Sequence, residues 1–158
     1  MNTILIATDG SPSAREAVEF GLELAADQHS AVTFVTVAPA VDVIPVGGFG
    51  FIGSIPHVVD EHEDQPLDDA HEAAEDAGVT AHQRLLKGNP VDEIVAYADV
   101  IDAELIVVGS RGHGGLASAL LGSVSRGVLR KARRPVLVVR SIATHEGTAA
   151  LERDVAKA

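Results

Sequence analysis

A glycine-rich segment, GSRGHGGLASALLGS at residues 109–123, contains the residue types best suited to holding a phosphate group. It has five glycines and one cationic side chain, Arg111, and it directly follows the apolar run at 105–108. Because glycine has no Cβ, backbone N–H groups in such a segment can approach an anion closely. A helix predicted to begin at Ser123 adds oriented N–H donors, and the Ser123 hydroxyl either caps that helix or contacts a phosphate oxygen. The segment therefore predicts a polyphosphate-binding loop.

Two well-known phosphate-binding patterns are absent from the chain. A Walker A loop requires G-x-x-x-x-G-K-[ST], and neither GKS nor GKT occurs in the sequence. The dinucleotide fingerprint G-x-G-x-x-G opens a helix after the first strand, where this chain has ATDGS at residues 7–11. The sequence therefore excludes a P-loop NTPase and disfavours NAD binding of the Rossmann type.

The elements that must position the glycine-rich segment alternate between strands and helices. Short apolar or β-branched runs predict five strands, at residues 3–7, 31–37, 79–86, 103–108 and 136–139. Apolar residues at helical spacing predict four helices, at residues 13–28, about 60–77 with its end at Gly78, 90 to about 101, and 123–132. In the last of these helices, Val124, Val128 and Leu129 are predicted to face inward. Continuous Val, Ile and Leu runs are typical of parallel strands buried on both faces, so we predict an α/β fold with a three-layer, open, parallel five-stranded sheet of Rossmann-like architecture.

The fold predicts where a ligand binds. In an open parallel sheet, ligands bind outside the carboxyl ends of the strands, where the strand order reverses, and residues 7–10 and 109–123 both follow strand ends. Residues 40–59 mix glycine, proline and aromatic residues, and they predict a loop that serves either as a nucleotide lid or as a contact with a partner subunit. We predict one domain over residues 1–140 and a polar tail at 141–158.

Composition and charge argue against several classes of function. No apolar run approaches the roughly 18 residues of a membrane span, and the formal net charge of −11 opposes nucleic-acid binding. The N-terminus lacks the pattern of a secretory signal and the chain has no cysteine, so we expect a cytoplasmic location. The acidic composition fits either adaptation to high salt or an ordinary acidic cytosolic protein, and loss of structure below roughly molar salt would favour the first.

The spacing of the glycine-rich segment resembles the G-x2-G-x9-G-[ST] motif of the ATP-binding universal stress proteins, with Gly109, Gly112, Gly122 and Ser123 at the motif positions. The resemblance covers about residues 2–140 and includes the blocks ILIATDGS, LIVVGSRG, LLGSVS and RRPVLVVR. It implies the universal stress protein fold, of the adenine nucleotide alpha hydrolase type. It also implies ATP as the ligand, with Mg²⁺ carried by the phosphates rather than by a protein cage.

The resemblance implies a position for each part of the nucleotide. Adenine is expected near Ala7 and the backbone of Val37, and Asp9 near the ribose or adenine. The ribose and phosphates are expected at both ends of the glycine-rich segment, at Gly109, Ser110, Arg111, Gly112, His113, Gly114, Gly115, Gly122, Ser123, Val124 and Ser125. From the residues alone, Asp9 also fits the N-cap of the first helix and Arg111 also fits a solvated surface charge.

Three functions fit these features. The favoured one is a nucleotide-dependent stress-response or signalling module, in which ATP changes loop order and a protein partner, which the sequence does not identify, recognises the altered surface. The second is a slow ATP hydrolase, for which His113 and Asp9 are the only candidates to orient water. The third is a relative of the electron-transfer flavoproteins that binds AMP or FAD.

Two further predictions concern metals and partners. The H-E-x-x-H pattern is not formed by His57, His62 and His71, so we predict that these histidines bind no metal ion. The last strand, at residues 135–140, would be an exposed apolar edge in a monomer. Together with the resemblance, this edge predicts a homodimer formed through the last strand.

Overall fold

The computed structural model of the chain describes residues 3–39, 65–112 and 121–140. Five strands and four helices alternate within these residues. The strands are β1 (Thr3–Ala7), β2 (Ala31–Ala38), β3 (Ala81–Lys87), β4 (Leu105–Gly109) and β5 (Val136–Val139). The helices are α1 (Pro12–Gln28), α2 (Gln65–Asp76), α3 (Pro90–Val100) and α4 (Ser123–Lys131). The predicted loop at 40–59, the predicted helical residues 60–64 and the tail at 141–158 lie outside the described residues.

The strands form one parallel sheet in the order β3-β2-β1-β4-β5, which confirms the predicted fold class. The first strand lies at the centre, where Ile4, Leu5 and Ile6 are fully buried. The strand order reverses between β1 and β4, because β2 pairs with one side of β1 and β4 with the other. Ligands bind at such a switch point, and the glycine-rich segment begins at the end of β4.

Two hydrophobic cores cover the two faces of the sheet. Successive strand residues point to opposite faces, so Phe34 packs with α1 and α2 while Val35 packs with α3 and α4. Phe34 is fully buried in the first core, and Val128 is fully buried in the second. Leu129 was predicted to face inward beside Val128, but it is 44% exposed, because the stripe of α4 that packs on the sheet is too narrow to include both residues.

The structure confirms some of the predicted helix ends and differs from others. Pro90 begins α3, as the sequence predicts, with Asn89 as its N-cap, and Gly78 after α2 has a φ of 66°. The N-cap of α1 is Ser11 rather than Asp9, because the Ser11 side chain accepts a hydrogen bond from the backbone N–H of Ala14. The N-cap of α4 is Gly122, so Ser123 is the first helical residue and does not cap the helix.

Candidate functional site

A cavity of about 270 Å³ lies at the carboxyl ends of β1, β2 and β4, between the sheet, α3 and the N-terminus of α4. Seven of the lining residues are apolar: Ala7, Ala14, Val35, Val37, Pro90, Ile94 and Val108. The other nine are polar, are glycines or lie at the start of α4: Thr8, Asp9, Gly109, Arg111, Gly112, Gly122, Ser123, Val124 and Ser125. The volume is just below the roughly 300–1,000 Å³ of typical ligand sites. A ligand with one flat apolar part and one anionic part matches these two sets of lining residues.

The structure brings most of the predicted site residues to this cavity. Ten of them line it: Ala7, Asp9, Val37, Gly109, Arg111, Gly112, Gly122, Ser123, Val124 and Ser125. Ser110 is buried behind the cavity wall, where its hydroxyl is 3.1 Å from that of Ser13. His113, Gly114 and Gly115 lie outside the described residues.

Hydrogen bonds between buried serines join β4 to α1. The Arg111 N–H donates to the Ser13 hydroxyl at 3.4 Å, and the Ser11 hydroxyl donates to the Arg111 carbonyl at 3.3 Å. Ser13 and Ser110 are themselves in contact through their hydroxyls. The segment that follows β4 is therefore held against the first turn of α1. This contact orients the backbone of residues 110–112 in the absence of a ligand.

A second set of hydrogen bonds joins the two ends of the glycine-rich segment. The Gly122 N–H donates to the Ser110 carbonyl at 2.8 Å, and the Ser125 hydroxyl donates to the Gly109 carbonyl at 2.7 Å. These bonds place the start of α4 beside the end of β4, on the same side of the cavity. Ser125 is buried, so its hydroxyl positions the backbone as well as lining the site.

Close packing restricts the side chain at two glycines of the segment. A Cβ on Gly109 would lie 2.6 Å from the Ser13 carbonyl oxygen, and a Cβ on Gly112 would collide with the Asp9 carboxylate. Gly122 differs, because the nearest heavy atom to its Cβ would be the Arg111 Cα at 3.4 Å. Its φ of −68° suits any residue. Packing therefore accounts for Gly109 and Gly112 but not for Gly122, which lines the cavity.

The N-terminus of α4 is the part of the site best suited to an anion. The first amides of any helix have no intrahelical acceptor, and in α1 and α3 the side chains of Ser11 and Asn89 accept from such amides. The N-cap residue of α4, Gly122, makes no side-chain cap hydrogen bond. The amides of the first turn of α4 thus lie at the cavity without a side-chain cap, together with the positive end of the helix dipole.

The end of β1 forms the opposite rim of the cavity. The Thr8 N–H donates to the Val35 carbonyl at 2.9 Å, and the Thr36 hydroxyl donates to the Thr8 carbonyl at 2.6 Å. The Asp9 carboxylate accepts from the Ser11 N–H at 3.0 Å, so the turn itself orients this side chain at the rim. Asp9 is thereby placed where a ligand hydroxyl could donate to it.

Sequence reasoning missed five lining residues, Ala14, Val35, Pro90, Ile94 and Val108, while Thr8 lies in the predicted range 7–10. Val35 and Val108 lie in the carboxyl-terminal halves of β2 and β4, so the rule for ligand position in parallel sheets could have found them. Pro90 and Ile94 begin the helix that follows β3, and only the strand order shows that this helix covers the cavity.

Residues 3–39, 65–112 and 121–140 show neither a membrane-spanning helix nor a cluster of metal ligands. In these ranges no helix is long and apolar enough to cross a membrane. No group of three or more His, Cys, Asp or Glu residues there could hold a metal ion. His71 lies 3.8 Å from Glu75 on the same helix, while His57 and His62 lie outside the described residues.

Comparison with known proteins gives consistent matches. The model of the universal stress protein family matches residues 1–140. A universal stress protein of Methanocaldococcus jannaschii is 38% identical over 140 residues, covering 87% of this chain and 81% of that protein. A crystal structure of a universal stress protein in complex with cAMP has a TM-score of 0.66 and 30% identity, covering 87% of this chain and 95% of that one. The universal stress protein from Archaeoglobus fulgidus in complex with dAMP has a TM-score of 0.64 and 26% identity, covering 88% and 97%.

Proposed function

The chain belongs to the universal stress protein family, and from this premise we propose that it binds ATP in the cavity between β1, β4 and α4. The protein would then act as a nucleotide-dependent stress-response module. The observation that carries the proposal is the pairing, in one cavity, of an apolar side with the uncapped N-terminus of α4. That pairing matches the two chemically different ends of a nucleotide.

The apolar side suits adenine. Val35 and Val37 come from β2, and Ile94 comes from α3, so the base would lie between the sheet and a helix. Burying a flat ring against these side chains gains about 25 cal/mol per Å² of apolar surface. Backbone groups at the ends of β1 and β2 would supply the polar contacts at its edge, and Asp9 would accept a hydrogen bond from a ribose hydroxyl.

The other side suits phosphates. The amides at Gly112 and at the start of α4 would donate to phosphate oxygens, and Arg111 and the Ser123 hydroxyl would add further donors. Mg²⁺ would arrive on the phosphates and keep several of its waters. The complexes of two relatives with cAMP and dAMP support an adenine nucleotide as ligand. The choice of ATP rests on the glycine spacing at Gly109, Gly112 and Gly122.

Isothermal titration calorimetry of the wild-type chain tests the proposal. We expect ATP to bind with and without Mg²⁺, and adenosine and tripolyphosphate each to bind more weakly than ATP, because each occupies one side of the cavity only. The titrations are run in low and in molar salt, so that a chain which folds only in salt is still tested. A folded chain that binds no adenine nucleotide in either condition would refute the proposal.

Hydrolysis of ATP is expected to be slow. Asp9 is held by the Ser11 amide at the rim, and none of the described residues that line the cavity is a histidine or lysine. We therefore expect a turnover number well below the roughly 1–10³ s⁻¹ of ordinary enzymes. Release of inorganic phosphate from ATP and Mg²⁺ measures it, and a rate inside that range would identify an enzyme instead.

We also propose that two copies of the chain pair through β5. This strand lies at the edge of the sheet, and its four residues, Val136–Val139, are all half-buried. Val138→Asp is expected to give monomers in sedimentation velocity, because it places a charge on the edge strand that would pair the two copies. Circular dichroism checks that the variant still folds, since Val138 also packs against the second core. Val100→Asp is the control, since Val100 is 77% exposed at the end of α3, and it should leave the dimer intact. A persistent dimer of Val138→Asp would place the interface elsewhere.

A further inference from the structure

Positive charge is concentrated in one part of this acidic chain. Residues 126–140 contain six of the twelve Lys and Arg residues and no Asp or Glu, although the whole chain has 23 acidic residues and a net charge of −11. The six residues are Arg126, Arg130, Lys131, Arg133, Arg134 and Arg140. In the structure they lie on α4, on the turn that follows it and at the end of β5.

Two of these residues stabilise the fold through ion pairs with α3 and the turn that follows it. Lys131 pairs with Asp92, and Arg134 pairs with Asp99 and Asp102. Hydrogen bonds to Asp102 and Asp99 raise the pKa of Arg134. These ion pairs account for Lys131 and Arg134 but not for the basic residues on the outer face of α4.

The outer face of α4 presents a stripe of basic residues around one exposed apolar residue. Arg126 and Arg130 are one turn apart, and Leu129 lies between them on the same face at 44% exposure. Arg133 follows two residues after the helix ends and is also exposed. We call Arg126, Leu129, Arg130 and Arg133 the basic stripe. Within the part of the chain that the structure describes, Arg130 and Arg133 form no ion pair with a carboxylate.

We propose that the basic stripe docks an acidic segment of a partner protein, which places an apolar side chain on Leu129. Exposed arginines would attract such a segment and orient it, since complementary charge mainly provides speed and specificity of association. An apolar contact surrounded by charged residues is the usual arrangement of a protein interface. A nucleic acid is the weaker candidate, because its dense charge would meet the strong negative charge of the rest of the chain.

The basic stripe is distinct from the nucleotide cavity. None of its four residues lines the cavity, although the Arg126 guanidinium donates to the Leu121 carbonyl beside Gly122. Docking therefore does not depend on the ATP proposal. Because Arg126 contacts the chain beside the cavity, the test uses substitutions at Arg130, Arg133 and Leu129 only.

Fluorescence anisotropy tests the proposal with a fluorescein-labelled synthetic peptide of glutamates in which leucines recur at helical spacing. The wild-type chain is expected to bind this peptide, and binding should weaken as NaCl is raised. The double variant Arg130→Glu/Arg133→Glu should bind roughly tenfold or more weakly, because like charges then face each other. Leu129→Ser keeps the charge and should also weaken binding, which a purely electrostatic attraction would not predict.

The matched control is Arg84→Glu/Lys87→Glu, which makes the same change of net charge on the exposed side chains of β3, at the opposite edge of the sheet. It should bind the peptide as the wild type does. Equal weakening in this control, or no binding by the wild type, would overturn the proposal. So would equally tight binding of the corresponding lysine peptide or of single-stranded DNA. A concentration-dependent increase in mass that only Arg130→Glu/Arg133→Glu abolishes would instead identify a second copy of the chain as the occupant.

Discussion

Gly122→Val is expected to weaken ATP binding by about 100-fold, because its branched side chain would stand between the phosphates and the first amides of α4. Such a displacement removes one or two charge-assisted hydrogen bonds of about 1.5–3 kcal/mol each. The residue lines the cavity and is the N-cap of the helix, so its side chain would lie directly at these amides. Calorimetric titration with ATP measures the loss.

The fold of this variant should be preserved. Gly122 has a φ of −68° and the nearest atom to an added Cβ is at 3.4 Å, so the Cβ causes neither backbone strain nor a severe collision. We expect the free energy of unfolding in urea to stay within about 1 kcal/mol of wild type. Gly122→Ala adds only the Cβ and should give an intermediate loss of affinity. If ATP affinity is unchanged in both variants, the phosphates do not lie at α4.

Phe34→Ala is expected to give a large loss of stability, lowering the free energy of unfolding by about 3–5 kcal/mol. Phe34 is fully buried in β2, between the strands and helices of the first core, and its removal leaves a cavity that neighbouring side chains fill only in part. Urea unfolding followed by circular dichroism measures the change. Phe34→Leu removes less volume and should lose correspondingly less.

Phe20→Ala is the matched control for this prediction. The same substitution is made on α1, where Phe20 is 47% exposed, and it should change the free energy of unfolding by no more than about 1 kcal/mol. A loss at Phe20 as large as that at Phe34 would mean that Phe20 is covered in solution. A small loss at Phe34 would contradict the packing of the first core.

The secondary structure and fold class could be predicted because each depends on local patterns. The apolar run at Thr3–Ala7 and the run at Val136–Val139 are strands with the predicted bounds, since continuous branched residues suit a strand buried on both faces. Pro90 begins α3 as predicted, because first-turn preferences act within a few residues. The glycine-rich segment was also predicted to follow the end of a strand, and it begins at the end of β4.

Other features depended on contacts between distant residues. The exposure of Leu129 differs from the prediction, because it depends on how α4 packs on the sheet. The residues alone left open whether Asp9 caps α1, and in the structure Ser11 has that role. The Ser13–Ser110 contact joins residues 97 positions apart, and no local pattern indicates it. The requirement for glycine at 109 likewise arises from the proximity of the Ser13 backbone.

The sequence by itself determined the alternation of strands and helices, the α/β class and the glycine-rich segment as the place to look for an anion site. Only the tertiary structure decided that β2 and α3 supply the apolar side of the cavity and that Ser110 is turned away from it. It also decided that the arginines of α4 surround an exposed leucine. The physical reason is that propensity and periodicity act between near neighbours in the chain, whereas a cavity and a surface are made by strand order, which brings together residues far apart in sequence.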